Sequence, residues 1–275
     1  MFFHQVSNTK GDVYNAFIYH NGQWKPHFHK AYEWIYQIAG PNRVSIGNTE
    51  YLLNPGDCLL IPPYGLHAIQ SEAENDCFIL VFSAQYAPHA AKLFSENEPS
   101  DYKMHLSEEC EAYLLKKLIG PIPDAQSMHP VKKPDLFTIK SCLYAIFSEF
   151  LAQNPLRLKN NNDDIMERLL SYIERNYTSN ITLSQAAADL GYNYDYLSRI
   201  FNQTYHMNFK TTVNQYRCEK ALQLLTTTKQ SLTDISLASG FQSIRSFNRI
   251  FKEVMGMAPS DFRHGQPSAY RGQTP

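Results

Sequence analysis

Three histidines and a glutamate carry the first chemistry in the sequence. His27 and His29 stand two apart, Glu33 follows, and His67 lies 40 residues beyond His27. An alternating pair puts both imidazoles on one face of a strand. Three imidazoles and a carboxylate suit Fe, Mn, Ni or Zn. The same groups can hydrogen-bond a polar ligand, or only one another. Trp24 or Trp34 can stack on a ring. A second chemistry lies at the starts of two C-terminal helical segments. Asn193, Asp195, Ser198, Arg199 and Asn202 occupy outward positions of the first. Ser243, Ile244, Arg245, Ser246, Asn248 and Arg249 occupy those of the second. Arg pairs bidentately with guanine, Asn with adenine, and Ile meets a thymine methyl. Ser243 and the N–H groups at the helix start are natural phosphate ligands. Lys210 and Lys252 are expected in solvent or on phosphate. No nucleophile elbow, P-loop or G-x-G-x-x-G is present.

These groups sit on 275 residues, enough for two average domains. Hydrophobic residues make up 43%, so the chain can bury cores and is not disordered. No apolar run reaches the roughly 20 residues of a membrane span. No basic region followed by an apolar stretch marks an export signal, so a cytoplasmic protein is expected. Cys58, Cys77, Cys110, Cys142 and Cys218 are odd in number and lack C-x-x-C spacing. They read as reduced thiols, not as a disulfide frame or zinc knuckle. The net charge of −1 argues against a generic polyanion binder. It hides an asymmetry. Residues 1–159 hold 13 Lys+Arg and 16 Asp+Glu, net −3; residues 160–275 hold 12 and 10, net +2.

The polar run Asn160–Asp164 marks the best domain boundary, with Asn162 or Asp163 as a helix cap. Before it, VYNAFIYH, YEWIYQIAG, NRVSIG, EYLLNPG, CLLIPP and CFILVFS are short runs rich in β-branched and aromatic residues. They predict a small antiparallel sandwich or barrel over residues 1–105. From Leu106 the period becomes helical. Two helices are expected in 106–159, around SEECEAYLLKKLIG and PDLFTIKSCLYAIFSEFLAQN. They cover the sheet, or offer a second copy an apolar stripe through Phe137, Ser141 or Cys142, Tyr144 and Phe147-Ser148.

Residues 160–265 form the second domain, of which 165–263 read as almost pure helix with an internal duplication; 266–275 read as a flexible tail. Arg199-Ile200-Phe201 recurs as Arg249-Ile250-Phe251, with Leu197 matching Phe247 and Met207 matching Met257 at the same offset of 50. Each copy has helix-turn-helix grammar. In the first, Thr182 caps with Gln185 in a capping box, Gly191 ends the helix at positive φ, and Asn193 caps a helix to Tyr205. In the second, Ser231 and Asp234 start a helix that Gly240 ends, and Ser243 caps the next. Phe247, Ile250, Phe251 and Val254 face inward before Gly256, and Pro259 opens a short last helix, Ser260–Arg263. Between the copies one helix runs from Asn208 or Phe209 to about Thr226. Eighteen or so residues span about 27 Å. Such a rod can set the roughly 34 Å between successive major-groove segments.

The stretches ITLSQAAADLGYNYDYLSRIF, YRCEKALQLL and LTDISLASGFQSIRSFNRIFKEVMGMAPSDFR resemble the DNA-binding domain of AraC-type transcription regulators over residues 165–263. Two departures stand out: His206 replaces a usual helix-ending Gly, and Ser236 a usual Ala. The resemblance implies base contacts at Asp195, Ser198, Arg199, Ile244, Arg245, Asn248 and Arg249. Upstream, Gly22, His27, His29, Glu33 and Gly40, then Gly56, Pro62 and His67, resemble the two cupin motifs, with Tyr64 where cupins often have Gly. In a cupin jelly roll these polar residues converge inside the barrel.

The fold expected is α+β and multidomain: an N-terminal cupin-like double-stranded β-helix (jelly roll) with covering helices, and a C-terminal all-α domain of two helix-turn-helix motifs joined by a long helix. The resemblances imply a homodimeric, non-enzymatic regulator, an activator working with RNA polymerase on double-stranded DNA. Its effector, a carbohydrate, is expected at Trp24, His27, His29, Glu33, Tyr64 and His67, with no cofactor required. A divalent metal on His27, His29, Glu33 and His67 is the alternative occupant. The N-terminal arm, Met1–Gly11, or the helices from Ser107 to Gln153 would then switch the DNA readers. Two rivals stand beside this: a metal-dependent cupin oxygenase or isomerase with a DNA-binding appendix, and a DNA-binding module whose cupin only dimerises.

Overall fold

The computed structural model describes residues 3–4, 13–71, 74–120, 128–159, 161–205 and 208–264. The chain divides into two compact units at Lys159/Asn160, where the charge balance changes sign. The arm Met1–Gly11 (Phe3 and His4 apart), His206, Met207 and the tail 266–275 lie outside the described residues.

The first unit holds strands β1 (Phe3–His4), β2 (Tyr14–His20), β3 (Gln23–Phe28), β4 (Tyr32–Ala39), β5 (Asn42–Ile46), β6 (Thr49–Leu53), β7 (Asp57–Ile61), β8 (His67–Gln70) and β9 (Asp76–Phe82). Then come α1 (Pro88–Glu96), β10 (Asn97–Pro99), β11 (Lys103–His105), α2 (Glu108–Leu114), β12 (Met128–Pro130), α3 (Leu136–Gln153) and β13 (Leu156–Leu158). One sheet has the order β1-β3-β8-β5-β6, the other β11-β7-β4-β9-β2-β12, and β10 pairs with β13. The paired strands run antiparallel from β2 through β13. Val44, Ile46 and Ile69 of the smaller sheet pack against Ile35, Leu59, Ile61, Ile79 and Val81 of the larger, closing an apolar interior.

The outer face of the larger sheet is also buried. Trp34, Tyr36, Phe78, Leu80 and Phe82 meet Phe94 of α1 and Ile139, Leu143, Phe147 and Phe150 of α3. This is why β4 is apolar on both faces, apart from Glu33 and Gln37. Two sequence expectations need correction here. A third helix, α1, precedes the two expected; Pro88 at its start fixes a helical φ. Its nine residues were too few to show a period. Nor is 106–159 a separate helical segment. β12 pairs with β2, β13 pairs with β10, and the helices bury their apolar faces on the sheet of the same unit. The stripe on α3 is split as well. Cys142 and Phe147 face the sheet, while Phe137 and Tyr144 remain exposed.

The second unit is helical: α4 (Asn161–Asn176), α5 (Leu183–Leu190), α6 (Tyr194–Tyr205), α7 (Phe209–Thr227), α8 (Leu232–Ala238), α9 (Ile244–Met255) and α10 (Pro259–His264). α4 begins at Asn161, so Asn162 and Asp163 lie in its first turn and do not precede it. Thr182 accepts from the Gln185 N–H, but the capping box is not closed: the Gln185 amide donates to Asp189 at 2.7 Å. In a closed box the Gln185 Oε1 would accept from the Thr182 N–H; here the side chain is turned one turn on, to the Asp189 carboxylate. Gly191 has φ 77°, a conformation costly for residues with a Cβ. Leu197, Ile200 and Phe201 of α6 and Phe247, Ile250, Phe251 and Met255 of α9 are buried, while Val254 is only partly so.

α7 runs for 19 residues from its cap Asn208, whose Oδ1 accepts from the Thr211 N–H at 2.9 Å. That is about 28 Å of rod. It packs against α8, α9 and α10. Arg217 on α7 donates to the carbonyls of Tyr177 (2.7 Å) and Ser179 (2.8 Å), gripping the turn after α4. Gly240 meets the same turn from the other repeat.

Candidate functional site

The four polar groups of the first unit converge. The ligand atoms of His27, His29, Glu33 and His67 all lie within 4.8 Å of one another, and the four residues are buried. Glu33 sits in the middle of the larger sheet, opposite Ile61 of β7 and Val81 of β9, on the face that looks into the interior. His27 and His67 are paired across β3 and β8 of the smaller sheet. His29 follows β3 in the turn to β4.

Each imidazole is aimed by its own backbone. Nδ1 lies 2.9 Å from the Lys25 carbonyl in His27, 3.0 Å from that of Ala31 in His29, and 2.8 Å from that of Gly65 in His67. A carbonyl only accepts, so each Nδ1 carries a proton, and each Nε2 turns inward. His29 Nε2 and His67 Nε2 stand 3.0 and 3.4 Å from Glu33 Oε2. His27 Nε2 and Glu33 Oε1 have no hydrogen-bond partner among the described residues. Burial and then the neighbouring His67 hold the His27 pKa well below the usual imidazole range, which favours the neutral ring. Burial pushes the Glu33 carboxyl up, but His67 and His29 outweigh it, and the group stays an anion. The donor set fits a divalent metal. Three imidazoles and a carboxylate with donor atoms within 4.8 Å of one another are the ligand types that such an ion takes.

A bulge brings an aromatic wall to this cluster. Trp24 pairs with Ile69 and His27 with His67, so β3 carries one extra residue between them. Pro26 lies in that insertion, where a missing N–H costs the ladder little. Trp24 and His27 therefore share a side, with ring centroids 5.5 Å apart. Phe17 and Tyr19, alternate residues of β2, lie 5.5 and 5.4 Å from the Trp24 ring, and all three are half-buried. Sequence reading missed Phe17 and Tyr19. Their alternation along YNAFIYH was visible, but which face meets Trp24 depends on the bulge. Trp34 is corrected: one residue beyond Glu33, it faces the helices, stacked on Tyr36 at 5.9 Å. Tyr64 is buried at φ 63°, and its N–H donates to the His29 carbonyl at 2.7 Å. Tyr64 itself, and not Gly65, takes the left-handed conformation that a cupin glycine would fill.

In the second unit, the residues expected to meet DNA are placed on the outer faces of α6 and α9. Asn193, Asp195, Arg199, Asn202, Ile244, Arg245, Asn248 and Arg249 are exposed; Ser198 and Ser246 are half-buried. Asn193 and Ser243 cap the two helices, accepting from the N–H of Tyr196 (3.1 Å) and Ser246 (3.2 Å). The Ser246 hydroxyl is turned to the Ser243 carbonyl at 2.8 Å. Arg199 lies over the Tyr196 ring at 5.8 Å, and Arg249 is 3.4 Å from Glu253 one turn on. α6 carries Asp195 and Arg199, net zero; α9 carries Arg245, Arg249, Lys252 and Glu253, net +2.

Comparison with known proteins joins the two halves. A family model for an AraC-like ligand-binding domain matches residues 14–109, and one for a helix-turn-helix domain matches residues 180–265. The chain belongs to the AraC family. The relative YdiP of Escherichia coli, described as an uncharacterized HTH-type transcriptional regulator, is 24% identical over 84% of this chain and 78% of its own. A Staphylococcus aureus regulator of the same description is 32% identical over 112 residues, 41% of this chain. The match spans only 15% of that relative's length. ToxT of Vibrio cholerae superposes with a TM-score of 0.56 over 91% of this chain and 98% of its own at 15% identity, a likeness of fold. ToxT has also been solved with an unsaturated fatty acid bound, at a TM-score of 0.59 and 14% identity.

Proposed function

We propose that this AraC-family chain is a sequence-specific DNA-binding transcription regulator controlled by a small molecule held in its N-terminal unit. The observation that carries the reading is the duplicated reader: α6 and α9, each capped and each packed by the same inward residues, leave Arg, Asn and Ser side chains outward. Two such helices suit successive major-groove segments, with α7 as the spacer. The cluster of His27, His29, Glu33 and His67, flanked by Trp24, supports a polar effector, and a carbohydrate fits both the hydrogen-bonding groups and the aromatic face. The fatty acid seen with ToxT is a different chemistry from this interior. The exposed Phe137 and Tyr144 on α3 support pairing of two copies through that helix, and an activator acting on RNA polymerase is the form of regulation proposed. Among the described residues no helix is long and apolar enough to cross a membrane.

The test is selection of duplexes from a random pool by the full chain. Recovery of a motif with two half-sites about 10 base pairs apart is expected. Recovery of random sequence would overturn the reading.

A further inference from the structure

We infer that Tyr194, the first residue of α6, reads a thymine methyl in the major groove and is the counterpart of Ile244 in the second repeat. The inference deepens the DNA-reader reading and rests on it. Tyr194 lies outside the set expected to meet DNA, yet the duplication singles it out. The offset of 50 sets Tyr194 on Ile244 and Asn193 on Ser243. Tyr194 and Ile244 are each the first helical residue of a reader, and each follows a side-chain cap. Both are exposed, at 47% and 38%; among the described residues they are the exposed large apolar side chains of α6 and α9. One exposed apolar residue is ordinary on a protein surface. The same placement in both repeats is not, because the outward positions around it have diverged: Asp195 against Arg245, Ser198 against Asn248, Asn202 against Lys252. A large apolar group kept at one outward position of both readers points to an apolar partner common to both.

The segment around the cap holds three tyrosines, and two are engaged. The Tyr192 hydroxyl accepts from Arg168 at 2.8 Å, and Arg199 lies 5.8 Å over the Tyr196 ring. Tyr194 makes neither kind of contact among the described residues. Helix side chains lean toward the N-terminus, so a first-turn residue projects ahead of its own helix start. When that end leads into the groove, as in helix-turn-helix docking, the residue meets base edges. The thymine C5-methyl is the apolar group that a base pair presents there, and it is what a ring can read. The contact matters more to α6 than to α9. The Asp195 and Arg199 charges of α6 cancel, whereas α9 carries a net +2. The bases beside the two thymines then differ. Arg245 suits guanine, while Asp195, its counterpart, accepts from the cytosine amino group. The two half-sites share a thymine about 10 base pairs apart and diverge next to it.

The experiment uses the full chain and a duplex that it selects from a random pool. Each thymine is replaced in turn by deoxyuridine, which removes the methyl and nothing else. One replacement in each half-site should weaken binding, by about 3- to 10-fold. Tyr194→Ala should weaken binding to the unmodified duplex by a similar factor and abolish the effect of one of these replacements. Ile244→Ala should abolish the effect of the other. Tyr194→Phe should keep both effects, since the ring and not the hydroxyl makes the contact. Melting of each variant separates a lost contact from a lost fold. Tyr194→Gln, polar and a good helix former, is the second variant and should lose the same methyl effect as Tyr194→Ala. Variants that fold and stay sensitive to both methyls would overturn the inference. So would equal weakening by Tyr194→Phe and Tyr194→Ala on selected and scrambled duplexes alike, the mark of a hydroxyl on phosphate. A selected motif with thymine in only one half-site would do the same. Recovery of no motif would sink the regulator reading together with this inference; a motif whose methyl sensitivity survives in Tyr194→Ala sinks this inference alone.

Discussion

Single residues decide where this chain departs from its family pattern. Ser236 is buried in α8, and its hydroxyl has no hydrogen-bond partner among the described residues. A buried hydroxyl without a partner costs about 1–3 kcal/mol, and Ala is the better helix former. Ser236→Ala should therefore stabilise the helical unit by about 1 kcal/mol, read as a higher midpoint in urea. A lower midpoint would mean that the hydroxyl has a partner. Legibility at this scale was uneven. The histidines and Glu33 were readable because their types and spacing are specific and Glu33 interrupts an otherwise apolar strand. Phe17 and Tyr19 were not, because Trp24 meets them only through a register shift at Pro26 that no local pattern announces, whereas Trp34, one residue beyond Glu33 on the same strand, had to face the other way.

Among the elements, the helical unit was the more legible half, since caps and stops are local chemistry. Thr182, Asn193, Asn208, Ser231 and Ser243 each cap the helix their position predicts. Contacts between elements were hidden. Gly240 reads as a simple helix stop, yet it also faces the turn after α4. Its φ is 88°, and a Cβ there would stand 2.5 Å from the Thr178 Cα. Arg217 holds the same turn through two carbonyls. Gly240→Ala adds the strain of a left-handed residue, about 1–2 kcal/mol, to that clash. A loss of about 2–4 kcal/mol is expected on equilibrium unfolding. A loss below about 1 kcal/mol would show that the turn yields freely. In the β unit the six apolar runs became strands, but β3 and β8 were read only through their histidines. Polar residues at their inward positions break the alternation that marks a strand.

At the scale of the whole molecule, the near-zero charge is the sum of an acidic first part and a mildly basic second part, −3 and +2. A second part with a net charge of only +2 gains little affinity from counterion release on any duplex, so placement of the readers must supply the rest. α9 holds more of that charge than α6, which makes Arg245 the sharpest probe of the account. The measurement is competitive binding of the full chain and Arg245→Ala to a selected duplex and to a scrambled one, at one salt concentration. Loss of a base-reading Arg costs about 1–3 kcal/mol, so binding to the selected duplex should weaken about 5- to 150-fold, with relaxed preference at one base position. Binding to the scrambled duplex should change far less. Equal weakening on both duplexes, or none on either, would contradict sequence reading by α9.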